Sequence, residues 1–203
     1  MRFLLQKKLS RFDNAFKKTF VLANEAVVQR DDVFYMDHDA LGEKNVNGAI
    51  FLDAAVTLKS RPYSLVLYGH NMKTGAMFGN LRNYENASFY HKNPFISFDS
   101  MYEKGRYVIF AVTNISIEKK DSHYMDFFSF LSTHFQKRQE MINSLQSMSV
   151  HTYTVDVQPD DQLMFLVTCL DKDTDRRVVA ARRIQDWENE NELKSLVEES
   201  RKK

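Results

Sequence analysis

Cys169 is the only cysteine in the 203-residue chain. It closes the apolar run Leu163-Met164-Phe165-Leu166-Val167-Thr168 and precedes a polar loop, Leu170–Asp175. A thiol at the end of a strand can sit at a sheet rim and meet a substrate. A lone cysteine is more often a small buried hydrophobe, because reactivity needs a supporting microenvironment. Two features supply one. Arg176 and Arg177 follow within eight residues, so the loop can return a guanidinium beside the sulfur. His70 follows the strand-like segment Ser64–Tyr68 and precedes polar Asn71. Thiolate, imidazole and guanidinium form a complete set for acyl transfer: the sulfur attacks a carbonyl, the ring moves protons, and the cation stabilises the oxyanion. Spacing alone leaves their proximity in space open.

The remaining candidates carry less. His38 lies in Met36-Asp37-His38-Asp39, a pattern that suits a surface turn better than a metal site, since no second ligand cluster accompanies it. His91, His123, His134 and His151 receive no role. The arginines Arg176, Arg177, Arg182 and Arg183 read as a charged strand with one functional member at most. No metal and no cofactor is expected.

These side chains need a framework, and composition bounds it. Hydrophobic residues make up 43% and charged residues 27% of the chain, a globular mix that excludes disorder. A net charge of +1 offers no basic excess for nucleic acid. One cysteine excludes an internal disulfide framework. No segment approaches the roughly 20 apolar residues of a membrane span. The run after Met1 is too short for a signal peptide, so the chain is either cytoplasmic or lacks an export and anchor segment.

Periodicity supplies the elements. Leu5, Leu9, Phe12, Phe16 and Phe20 mark one helical face, giving an N-terminal helix over 1–22 packed on the domain, with a stub lying on a membrane as the alternative. Strands are expected at Ala26–Gln29, Ala49–Leu52, Ser64–Tyr68, Phe95–Phe98, Arg106–Ile117, Val150–Val157, Leu163–Cys169 and Val178–Ile184. A long helix is expected over Tyr124–Met148, capped by Asp121 or Ser122. Its stripe Phe127, Phe128, Leu131 and Phe135 should pack on the sheet, making Phe128→Ala destabilising. Trp187–Lys203 reads as a closing helix that frays. Seven or eight strands with added helices imply a mainly β, α+β fold: a closed or nearly closed barrel over 23–203.

The segment Tyr68-Gly69-His70-Asn71-Met72-Lys73-Thr74-Gly75-Ala76-Met77-Phe78-Gly79-Asn80-Leu81 resembles the histidine signature of class B sortases. Val27-Val28-Gln29, Phe34–Asp39 and Gly48–Asp53 are similar to the family's early strands. Leu166-Val167-Thr168-Cys169 with the following arginines is similar to its nucleophile and arginine segments. The long helix falls where class B members insert one. The resemblance spans Val27 to Arg183.

It implies a sortase β-barrel and a cysteine transpeptidase of the Gram-positive cell surface, acting as a monomer on a surface protein that bears an NPQTN-like sorting motif. Cys169 would attack the motif's Thr carbonyl to form a thioester, and His70 would act as general acid/base. An amine of a peptidoglycan precursor would then take the acyl group. The membrane would be reached only through an anchor this chain lacks, and nucleic acid is not a partner. Counting back from Ala181-Arg182 selects Arg176 as the catalytic arginine, whereas counting forward from the cysteine selects Arg177. Register is less elastic than loop length, so Arg176 is preferred, and losing Arg177 should cost little activity beyond a surface effect. Asp32, Met36, Asn71, Val167 and Thr168 fall on substrate-binding positions. Departures are the missing Trp-leading first strand in Phe16–Ala26, Val167 in place of a small hydroxyl residue, and Asp32 in place of Asn. A hydrolase that lets water resolve the thioester, and a silent barrel that binds cell-wall peptides, are the alternatives.

Overall fold

The computed structural model describes residues 20–22, 25–59, 62–100, 102–170 and 173–202. The expected helix over 1–22 lies outside the described residues as far as position 19. Phe20–Leu22 is a strand, β1, so helical spacing does not extend to Phe20. The other strands are β2 (Glu25–Val28), β3 (Ile50–Leu52), β4 (Ser64–Tyr68), β5 (Phe95–Asp99), β6 (Lys104–Ser116), β7 (His151–Thr152), β8 (Leu163–Cys169), β9 (Asp175–Arg183) and β10 (Arg201–Lys202). Eight of them close a barrel in the order β1-β2-β3-β4-β8-β9-β6-β5, with β1 pairing back onto β5. The pairs β2/β3 and β4/β8 are parallel, and the other pairs antiparallel.

Strand β8 is buried along nearly its whole length, as its unbroken apolar run implies for a strand covered on both faces. Part of that cover comes from the segment expected to be one long helix. There the chain makes a 3₁₀ turn at Phe127–Leu131, breaks at Ser132–His134, and only then forms a helix, α2 (Phe135–Met148). A short helix, α1, precedes it at Ala87–Lys92. Asp126 starts the turn by accepting the Phe128 amide, while Asp121 accepts the His123 amide in a separate turn and caps no helix. Ser122 caps none either; its hydroxyl bonds the His123 ring.

The break changes which phenylalanines are covered. With about three residues per turn, Phe127 and Phe130 share a face. Their rings meet at 5.5 Å, and Phe130 stacks on Phe165 at 4.5 Å. Phe130 is fully buried, whereas Phe128 is 82% and Phe135 62% exposed. Phe128 therefore does not pack on the barrel. Phe128→Ala is expected to change stability by no more than about 0.5 kcal/mol, whereas Phe130→Ala should cost about 3–5 kcal/mol. Chemical denaturation of the two variants checks this directly.

Helix α2 faces inward through Arg138, Met141, Ile142 and Leu145, at helical spacing. Arg138 is fully buried and donates to the carbonyls of Pro159, Asp161, Tyr63 and Ser132 and to the Ser64 hydroxyl. One guanidinium thus ties α2 to the start of β4 and to the turn before β8. Arg138→Leu would leave several buried carbonyls unpaired at about 1–3 kcal/mol each. We expect the melting midpoint to fall far more for it than for any single exposed charge.

The period-2 pattern of Val150–Val157 does not mark a barrel strand. Only His151–Thr152 pairs, and its partner is β10, which follows helix α3 (Glu190–Glu199). Val155 and Val157 are buried, but the Asp156 carbonyl accepts from the Arg182 side chain at 2.5 Å rather than from a neighbouring strand. The alternation reports which side chains are covered, not where the backbone pairs. The closing helix is likewise shorter than Trp187–Lys203. It starts where Asn189 accepts the Asn191 amide, and Trp187 before it stays exposed.

Candidate active site

The three chemically active side-chain types reach one rim of the barrel through strand register. In the parallel pair β4/β8, Tyr68 lies opposite Val167. Both chains then continue together: the Gly69 amide donates to the Val167 carbonyl at 3.3 Å, and the Thr168 hydroxyl donates to the Gly69 carbonyl at 2.7 Å. His70 and Cys169 are thereby delivered to the same end of adjacent strands. On the other side of β8, Cys169 lies directly opposite Arg176 on β9.

A pocket opens at this rim, lined by His70, Cys169 and Arg176 together with Asp32, Met36, Phe51, Tyr68, Gly69, Phe127, Val167 and Thr168. Asn71 is not among the lining residues; it bridges Met77 at the start of the next turn. Phe51, Tyr68 and Phe127 were not singled out from sequence for this site. Tyr68 ends β4, so its strand position placed it near the rim. Phe127 reaches the pocket through the 3₁₀ turn, which no local pattern announced.

The two arginines part company because successive strand residues face opposite ways. Arg176 lines the pocket, its Nη1 donating to the Asp173 and Asp175 carbonyls at 2.5 and 2.9 Å. Arg177 points away and is buried, donating to Asn114 Oδ1 at 3.1 Å and pairing with Glu85. It is a packed structural group rather than a surface one. Its loss touches the fold.

His70 Nε2 lies 2.6 Å from the Met36 carbonyl oxygen. Met36 ends a 3₁₀ turn, Phe34–Met36, which Asp31 starts by accepting the Val33 and Phe34 amides. Asp32 accepts the Ala54 amide at 2.8 Å. Burial pushes the Asp32 carboxyl above its ordinary value, and the neighbouring Asp53 and Asp31 carboxylates push the same way. Tyr68 donates to Asp53 Oδ2 at 2.8 Å. Burial, and then that carboxylate, raise the phenol strongly, so it stays a protonated donor at neutral pH. His38 makes the expected local turn, with Nδ1 2.7 Å from Asp37 Oδ1 and its ring stacked on Phe34.

Comparison with known proteins gives this geometry its context. The sequence model of the sortase domain matches residues 21–184. Sortase B of Listeria monocytogenes is 31% identical over 143 residues, covering 69% of this chain and 54% of that protein. Sortase B of Staphylococcus aureus is 30% identical over 152 residues, covering 74% and 60%. The chain thus spans 54–60% of the length of these curated relatives. A solved Staphylococcus aureus sortase B–substrate complex superimposes with a TM-score of 0.73 at 27% identity, covering 89% of this chain and 84% of that one. The barrel carries its histidine, cysteine and arginine at one rim and is matched by the family over four-fifths of its length, and so the chain belongs to the sortase family, among relatives of class B.

Proposed function

We propose that the protein is a cysteine transpeptidase that cleaves a sorting motif and transfers the acyl part to an amine. The observation that carries this reading is the convergence of His70, Cys169 and Arg176 on one pocket. In the first half-reaction the Cys169 thiolate attacks the carbonyl of the motif's Thr, forming the C–S bond. Arg176 stabilises the resulting oxyanion. His70 gives its proton to the departing amine as the C–N bond breaks, leaving a thioester. In the second half-reaction an incoming amine attacks the thioester, His70 takes the amine's proton, and the thiolate leaves. Atoms and protons balance without a cofactor.

Met36, Val167, Thr168 and Asp32 would hold the motif, with Phe51, Tyr68 and Phe127 completing the apolar wall; Asn71 drops out of this set because it lies off the pocket. An NPQTN-like motif on a surface protein and an amine of a peptidoglycan precursor are the substrates that the class B resemblance implies. The Staphylococcus aureus relative has been solved as a substrate complex, which supports a peptide in this pocket. Action as a monomer is what the class B resemblance implies. Family membership points to work at the bacterial cell surface. Among the described residues no helix is long and apolar enough to cross a membrane.

Incubation with a panel of sorting peptides, with and without an amine acceptor, tests the reading by product mass. The expected product is an amide formed only when the amine is present. Hydrolysed peptide that is indifferent to amine would make the protein a hydrolase. No adduct on Cys169 with any peptide would leave a peptide-binding barrel without chemistry.

A further inference from the structure

A backbone carbonyl can only accept a hydrogen bond, so the 2.6 Å contact from His70 Nε2 to the Met36 oxygen requires a proton on Nε2. A neutral imidazole has one N–H, which leaves Nδ1 as the nitrogen with the free lone pair. We infer that the Met36 carbonyl locks the tautomer of His70, so that Nδ1 takes and gives the mobile proton, and that Gly48 is the positioning residue that makes this lock possible. The catalytic use of Nδ1 rests on the proposed transpeptidase reading, whereas the tautomer itself does not.

Gly48 enters through its missing side chain. Its φ is +59°, a left-handed backbone that glycine adopts without strain. A Cβ there would lie 2.5 Å from the Tyr35 oxygen, 2.9 Å from the Met36 oxygen and 3.1 Å from His70 Cδ2. The turn at Gly48 therefore presses against both the carbonyl that holds the ring and the ring itself. The Ala49 amide fixes the same contact from the next residue, donating to the Tyr35 oxygen at 3.0 Å. Met36 also lines the pocket. One residue thus borders the pocket and holds the base with its carbonyl, coupling pocket shape to the orientation of the imidazole.

Gly42 provides a matched control. It has φ +81°, but a Cβ there would meet only Phe34 ring carbons at 3.9 Å, an ordinary contact. Asn tolerates left-handed backbone better than most residues, so Gly48→Asn and Gly42→Asn impose similar backbone demands and differ in the clash.

The experiment begins with the wild-type protein. Nitrogen-15 NMR of histidine-labelled protein, recorded above the titration of the imidazole, reads the tautomer, with the His70 signals assigned by their loss in His70→Gln. We expect a proton-bearing Nε2 and a bare Nδ1. A proton on Nδ1 instead overturns the inference. Acylation of Cys169 by an NPQTN peptide should then fall about 10²-fold in folded Gly48→Asn, the scale expected when a catalytic group is displaced by about 1 Å. The same variant should lose its Nε2–H preference, and Gly42→Asn should keep both properties. A folded Gly48→Asn with unchanged tautomer and unchanged acylation removes Gly48 from the role. If Gly48→Asn does not fold, the wild-type spectrum decides the lock. If the wild type is not acylated, the transpeptidase reading fails while the spectrum still decides the tautomer.

Discussion

Cys169→Ala is expected to abolish acyl-enzyme formation while leaving the fold intact. No second thiol exists in the chain to take its place. The side chain sits partly exposed at the end of β8, so losing one sulfur atom there opens no core cavity. The thiolate is also the only group in the pocket able to form the thioester on which both proposed half-reactions depend. His70→Ala should retain the nucleophile yet lose about 10²–10⁴ in turnover, because the leaving amine then departs without a positioned proton donor. Intact mass after mixing with peptide separates the two cases. Cys169→Ala should show no adduct at any time, and His70→Ala a slow one. Near wild-type turnover in Cys169→Ala would remove the covalent mechanism altogether.

The rim could be read in advance because its residues lie on strands whose limits are written in apolar runs. Ser64–Tyr68 and Leu163–Cys169 are such runs, and both strands occupy those positions. Once both strands are placed side by side, parallel pairing brings His70 and Cys169 to one end without further information. What stayed hidden depends on backbone choices that side-chain type does not set. Tyr124–Met148 has helical spacing throughout, yet Asp126 holds its start in a 3₁₀ turn and exposes Phe128. Val150–Val157 alternates like a strand, yet its buried valines are covered without a ladder partner. Gly48 gave no signal as a lone glycine, because its importance lies in a carbonyl and an imidazole brought to it from elsewhere in the chain. Arg176 and Arg177 are the intermediate case: strand alternation says that only one faces the pocket, and register says which.

Arg176→Ala is expected to cost on the order of 10²–10³ in turnover, roughly 2.7–4 kcal/mol, the usual effect of losing one oxyanion donor. A cation fixed beside the reacting carbon stabilises the tetrahedral intermediate more than the neutral carbonyl that precedes it, so the loss should fall on the chemical step more than on binding. Its fixing is visible: two backbone carbonyls hold Nη1 while the residue lies opposite Cys169. Lys would keep the charge but cannot reproduce the planar fork or both anchoring bonds, so Arg176→Lys should recover little. Arg177→Ala should behave in the opposite way. Its side chain is only 7% exposed and bonds Asn114 and Glu85, so removal should lower stability by about 1–3 kcal/mol, while folded enzyme keeps its turnover. Glu85 lies half in solvent and can be rehydrated, which keeps that cost below the loss of a fully buried ion pair. Single-turnover acylation and a denaturation midpoint, measured on all three variants, separate the roles. Slow chemistry with intact stability belongs to Arg176, and intact chemistry with reduced stability to Arg177. The reverse pattern would mean that Arg177 serves the oxyanion, and unimpaired acylation in both alanine variants would mean that neither arginine does.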